Sequence, residues 1–348
     1  MRFTARLLAG AFAAALSFSA AADPRDGVGK GPTPEKADSA FSFALIGDLP
    51  YNAVQVTQFD KLIADVNADE RIQFVMHTGD VKGGSERCDD ALLQARFEQL
   101  QQFRRAVVLT PGDNDWTDCH RTNNGAYYPL ERLEFFRKVF YPNPQQSIGQ
   151  RPIPVTPQSS LRGYGKFVEN VLFVRNRVVF STVHVVGSNN NLAPWTGFDP
   201  GDSVSWPRPD RMAEFQERLD AALAWIDYTF DQAAAASAAG VLVLIQANPL
   251  FELPATDPQR AGFNAFLDKL RDRAKAFGKP VLLAHGDFHE YMIDKPYLKD
   301  SSGPVRVPYF TRVQAFGSPR IHWLEVTVDP KAPGVFSIQE RIVRDNAN

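Results

Sequence analysis

The stretch IQFVMHTGD, residues 72–80, is a short apolar run that stops on Gly79-Asp80, and the same ending closes FSFALIGD at 41–48, AVVLTPGD at 106–113 and PVLLAHGD at 280–287. Short runs rich in β-branched and aromatic residues, halted by Gly or Pro, read as buried strands. Further runs of this kind are VLFV (171–174), VVFSTVHVV (178–186), GVLVLIQ (240–246), VPYFTRVQAF (307–316), IHWLEVTV (321–328) and VFSIQERIV (335–343). Between them, Met212, Phe215, Leu219, Leu223, Ile226 and Phe230 form a helical stripe, as do Phe263, Phe266, Leu267, Leu270 and Ala274. Strands alternating with covering helices predict an α/β fold. The last three strands follow one another without helices, so an antiparallel portion is expected to close it. The Pro-punctuated segment 142–165 reads as a surface excursion, and no solenoid-length repeat is visible.

A chain of 348 residues that is 44% hydrophobic and 22% charged has enough apolar residues for a large core, which excludes a disordered or collagen-like polymer. With 38 basic and 40 acidic side chains, it offers no general attraction to nucleic acid or an anionic membrane. Arg2 and Arg6 precede an apolar stretch from Leu7 to Leu16, and Ala20 and Ala22 flank a small-residue cleavage site before Asp23. That order predicts a signal peptide over 1–22, export to the periplasm or medium, and no membrane span after cleavage. Residues 23–40 read as a flexible tether, leaving 41–345 as a single domain. Cys88 and Cys119 are the two cysteines; in an oxidising compartment they are expected to pair, two free thiols being the alternative.

The four Gly-Asp endings carry the chemistry. A fifth pair, Gly201-Asp202, follows no strand and is set aside. Parallel α/β sheets place ligands outside the carboxyl ends of their strands, so Asp48, Asp80, Asp113 and Asp287 are expected to converge there. Gathered carboxylates repel one another and call for a cation. Each pair taken alone makes an ordinary turn in which Asp bonds its own backbone; the four together favour a metal site.

In these strand-end strings the chain resembles the calcineurin-like metallophosphoesterases, with the motif order of their purple acid phosphatase branch, over most of residues 41–340. The matching strings are Asp48-Leu49-Pro50, Gly79-Asp80-Val81-Lys82, Gly112-Asp113-Asn114-Asp115, Gln246-Ala247-Asn248-Pro249 and Gly286-Asp287-Phe288-His289. The resemblance implies a four-layer αββα sandwich of two mixed β-sheets flanked by helices. It implies that Asp80 bridges two divalent ions, with Asp48 and His289 on the first and Asp113 and Asp287 on the second. A one-residue shift would put Asn114 in place of Asp113, and Asn248 is a further possible ligand. The implied chemistry is in-line hydrolysis of a small phosphate ester by a metal-activated hydroxide.

Several imidazoles of the family pattern are replaced. Pro50 stands at the first-motif His, Asn114 at the catalytic His, Ala247 or Asn248 at the lone His, and Asp287 at the first His of the last motif. Oxygen donors shift the preference toward Mn, Mg, Ca or Fe and away from zinc. An amide cannot serve as a general acid, which leaves His285, His120 and His184 as candidates; His285 is favoured for its place before Gly286-Asp287. His77 reads as core, Tyr51 as a pocket wall, Asn189, Asn190 and Asn191 as cleft lining or turn, and Lys82, Arg87 and Arg121 as possible phosphate contacts. Two functions are expected to compete: an exported metal-dependent phosphomonoesterase or phosphodiesterase, and a catalytically degenerate relative acting as an envelope binding or scaffold protein. No G-x-S-x-G elbow supports a serine hydrolase.

Overall fold

The strands of the computed structural model, which describes residues 39–300 and 303–347, are β1 (Phe41–Ile46), β2 (Ile72–His77), β3 (Ala106–Leu109), β4 (Thr156–Pro157), β5 (Val171–Arg175), β6 (Val178–Thr182), β7 (Gly240–Leu244), β8 (Val281–His285), β9 (Met292–Asp294), β10 (Leu298–Asp300), β11 (Gly303–Val305), β12 (Phe310–Gln314), β13 (Trp323–Val328) and β14 (Phe336–Arg341). The expected leader, 1–22, and the tether as far as residue 38 lie outside the described residues. Among those described, five strands form one sheet in the order β14-β13-β1-β2-β3, and seven form another in the order β4-β5-β6-β7-β8-β12-β9. Both are mixed: β1, β2 and β3 run parallel, as do β6, β7, β8 and β12, while β13, β14, β5 and β9 pair antiparallel.

Strand alternation builds the layers. In β1, Phe43 and Leu45 point to one core and Ala44 and Ile46 to another; in β7, Leu242 and Leu244 face the first core and Val241 and Val243 a third. The shared core lies between the sheets, where Phe43 stacks on Phe74 at 4.9 Å and Phe180 meets both edge-on. Outside the first sheet, Phe59, Leu62 and Ile63 of α1 (Ala53–Ala68) pack with Leu93 of α2 (Asp90–Leu100) and Phe136 of α3 (Pro129–Phe140). A five-residue turn, α4 (Gly187–Asn191), precedes the helices over the second sheet. There α5 (Pro209–Ala235) and α6 (Asn264–Phe277) supply Trp225, Ile226, Phe266 and Leu270. Strands buried on both faces have no polar side to show, which is why they read as unbroken apolar runs. The result is helix, sheet, sheet, helix.

The closing strands match expectation in part. β13 and β14 form the expected antiparallel close, pairing with each other and with β1, but β12 stands apart from them, joining the seven-stranded sheet parallel to β8. The excursion 142–165 is tied down by β4 and by a bridge between Ile148 and Val107. Cys88 and Cys119 are joined, with Cα atoms 5.7 Å apart, linking the loop after β2 to the turn after β3. No described helix is long and apolar enough to cross a membrane.

Candidate functional site

Four strand ends deliver the carboxylates. Asp48, Asp80 and Asp287 have left-handed backbones, with φ of 54°, 56° and 80°, a conformation Asp tolerates better than most residues and one that turns the side chain off the strand line. Gly79, at φ 97°, uses the freedom glycine alone has, and a Cβ there would lie 2.7 Å from Gly112 N. Gly286 approaches still closer, since a Cβ would sit 1.9 Å from Asp48 Oδ2. The glycines let the carboxylates and the neighbouring chain share one small space.

Within it, Asp80 Oδ2 accepts from Tyr51 Oη at 2.9 Å, Asn114 Nδ2 at 2.8 Å and Gln246 Nε2 at 3.3 Å, while Oδ1 accepts from Asn114 N at 3.0 Å. Asp48 accepts from Asp287 N at 2.9 Å and from Thr78 Oγ1 at 3.3 Å, and its Oδ1 lies 3.7 Å from His289 Nε2. Tyr51 Oη is 3.2 Å from the same imidazole nitrogen. Asp113 and Asp287 both accept from Gln246 Nε2, at 3.1 and 3.3 Å. Asp113 Oδ2 takes Ser188 Oγ at 3.1 Å, and Asp287 Oδ2 takes Asn248 N at 2.9 Å.

Burial, then mutual repulsion, pushes these acids up. Asp48 rises well above the usual carboxylate range through burial and then the charge of Asp287, and Asp80 through burial and then Asp113. Asp113 rises through burial and then Asp118, while Asp287 is raised to about 6, again chiefly by burial. Burial lowers His289, so its ring is neutral and can offer a lone pair.

Asp48, Asp80, Asp113, Asp287 and His289 are therefore brought together, with Asn114 against Asp80. The other sequence candidates stand elsewhere. His285 is fully enclosed, its Nδ1 against Gly286 O at 2.9 Å and its pKa lowered by burial to about 3, and it makes no hydrogen bond to the gathered carboxylates. His120 Nδ1 accepts from Gly197 N at 3.2 Å, turned to the loop before α5. His184 is held between Glu169 and Trp116 Nε1 at 2.8 and 3.1 Å. Asn248 directs its side chain to Gln314 and Leu250 N, leaving only its backbone N for Asp287. Lys82 is buried with Nζ on Gly83 O, and Arg87 pairs with Asp89. Arg121 is half exposed, paired with Asp118 at 2.5 Å. Asn190 and Asn191 brace α5 through Arg218 and Glu214, and Asn189 holds Pro258 O and Gly262 N.

Sequence reading missed three residues. Gln246 stands among the carboxylates where the lone imidazole was sought at the two residues after it; its signal was a polar residue directly after the apolar run of β7. Asp115 is fully buried and accepts from Asp80 N, Val81 N and Gly112 N at 3.0, 2.9 and 2.7 Å, fixing two motif loops to each other. Ser188 bonds both Asp113 and Asp118.

The calcineurin-like phosphoesterase family model matches residues 41–226, more than half of the chain. The chain belongs to that family. GAP50, the anchor in the inner membrane complex of Plasmodium, is a structural neighbour with 10% identity over 88% of this chain and 89% of that chain, at a TM-score of 0.45. Haemophilus influenzae NAD nucleotidase (NadN) is another, with 12% identity over 87% of this chain and 49% of that one, at a TM-score of 0.42. No curated protein matches. This phosphoesterase-family chain has, among its described residues, no group of three His, Cys, Asp or Glu that holds a metal-ligand arrangement as it stands, and amide and hydroxyl donors bond the carboxylates. On one side the donor types are those a hard cation takes: Tyr51 Oη contacts Asp80 Oδ2 and His289 Nε2, and His289 Nε2 lies 3.7 Å from Asp48 Oδ1.

Proposed function

We propose that this protein is a metal-dependent phosphoesterase that hydrolyses small phosphomonoesters or phosphodiesters. The observation that carries this reading is the meeting of buried Asp48, Asp80 and Asp113 with partly exposed Asp287, from four separate strands, beside His289 in one hydrogen-bonded group. Asp48, Asp80 and His289 would hold the ion, and the oxygen-rich donors favour Mn, Mg, Ca or Fe over zinc. When bound, it would offset charge on the phosphoryl oxygens and acidify water. The chain's own residues orient these ligands. Asn114 and Tyr51 fix Asp80, and Asp287 N and Thr78 fix Asp48.

The test is turnover of p-nitrophenyl phosphate and its bis ester with Mn, Mg or Ca added. Asp80→Asn is expected to lose about a thousandfold in kcat, the equivalent of several kcal/mol of transition-state stabilisation. A folded wild-type chain inactive with every ion would sink the enzyme reading and leave the binding or scaffold reading, which the missing general acid favours.

We further propose export. Support comes from the basic, apolar and small-residue order of residues 1–22 and from the Cys88 and Cys119 disulfide. Intact mass should show a mature chain starting at Asp23, and a cytoplasmic product retaining residues 1–22 would refute it.

A further inference from the structure

Gln246 follows β7 and is completely buried. Its Oε1 accepts from Gly187 N at 2.6 Å, and that bond decides the orientation of the amide: the end that carries hydrogens must face the carboxylates. Nε2 lies 3.1 Å from Asp113 Oδ1 and 3.3 Å from both Asp80 Oδ2 and Asp287 Oδ1, so one donor group reaches three acids from three strands. These are the acids that the family resemblance assigns to the second ion. The remaining oxygens of the outer pair are also engaged, Asp113 Oδ2 by Ser188 and Asp287 Oδ2 by Asn248 N. On the other side, Asp48 Oδ1 and His289 Nε2 stand 3.7 Å apart, beyond hydrogen-bond reach of each other.

We propose that the Gln246 amide takes the place of the second cation, so that this centre holds a single divalent ion between Asp48, Asp80 and His289. An imidazole or carboxylate at 246 would present a lone pair to an ion. The amide presents hydrogens, which a cation repels and a carboxylate accepts. Being neutral, the amide cannot replace the cation's full charge, and the guanidinium of Arg121 adds positive potential at Asp113. The second half of the family's dinuclear site is thus converted into a hydrogen-bonded support for Asp80.

This inference rests on the phosphoesterase reading, and the test separates the two. The purified full chain is saturated with Mn(II), desalted, and examined by elemental analysis and electron paramagnetic resonance. One Mn per chain with the six-line spectrum of an isolated ion is expected for the wild type. Gln246→His and the nearly isosteric Gln246→Glu are expected to double the stoichiometry and give an exchange-coupled spectrum, with circular dichroism confirming that each is folded. Two ions in the wild type, or one in a folded Gln246→Glu, would overturn the inference and leave the phosphoesterase reading standing. No ion and no turnover in the wild type would overturn both.

Discussion

By the family resemblance Asn114 stands at the catalytic His, and its Nδ2 lies 2.8 Å from Asp80 Oδ2 and 3.2 Å from Tyr51 Oη. An amide positions but does not yield a proton, and burial keeps the nearby His289 ring unprotonated at neutral pH. On the proposed phosphoesterase reading, the leaving oxygen would then depart as an anion, which p-nitrophenolate does readily and an alkoxide does not. Asn114→His is therefore expected to raise kcat/KM for an alkyl phosphate ester about 100-fold while changing the p-nitrophenyl ester only a few-fold. Steady-state kinetics on the two esters checks it, and an equal change in both would show that the imidazole acts in some other way.

At the scale of elements, the strand-end glycines made the site legible. A Gly before each Asp is forced by the close approach of the neighbouring chain, as at Gly79 and Gly286, so the geometry left a mark in the letters. Asp115 left a weaker mark. Its letter is visible in Gly112-Asp113-Asn114-Asp115, but its work is to accept three backbone N–H groups from two loops, a pairing that exists only after folding. Gln246 belongs to no repeated string, and the resemblance drew attention to the residue beside Pro249 instead. The short strands β4, β9, β10 and β11 have two or three residues each, too few for a periodicity to show. The sheet change between β12 and β13 was illegible for another reason. Both runs mix apolar with polar residues, Arg312 and Gln314 in one and Glu325 and Thr327 in the other, and partner choice is set by contacts with β8 and β1, far away in sequence. His285 misled because adjacency to Gly286-Asp287 says nothing about which side of a strand end a ring enters, and its ring went into the interior.

For the whole molecule, the gathered acids make stability depend on pH and on cations together. With no ion bound, acids whose native pKa lies above the unfolded value stabilise fully below pH about 4, and that contribution is lost as the pH rises through the native value, about 6 for Asp115 and Asp287. Buried His77 and His285, lowered to about 3, and His184, lowered to about 4, act oppositely: their contribution is present above pH about 6.5 and lost on acidification. The bare pH profile mixes the two signs. The stabilisation added by an ion does not, because it depends on the acids that must release protons to bind it. At an Mn(II) concentration 100 times Kd at pH 7.5, the gain is expected to be about 2.7 kcal/mol. Acidification to pH 5 is expected to weaken that binding and remove part of the gain, because raised carboxyl groups must release protons to take the ion. Thermal unfolding with and without Mn(II) at the two pH values measures it. Equal shifts at pH 7.5 and pH 5 would mean that the ion binds away from the buried carboxylates, since only a site already free of protons can ignore the acidification.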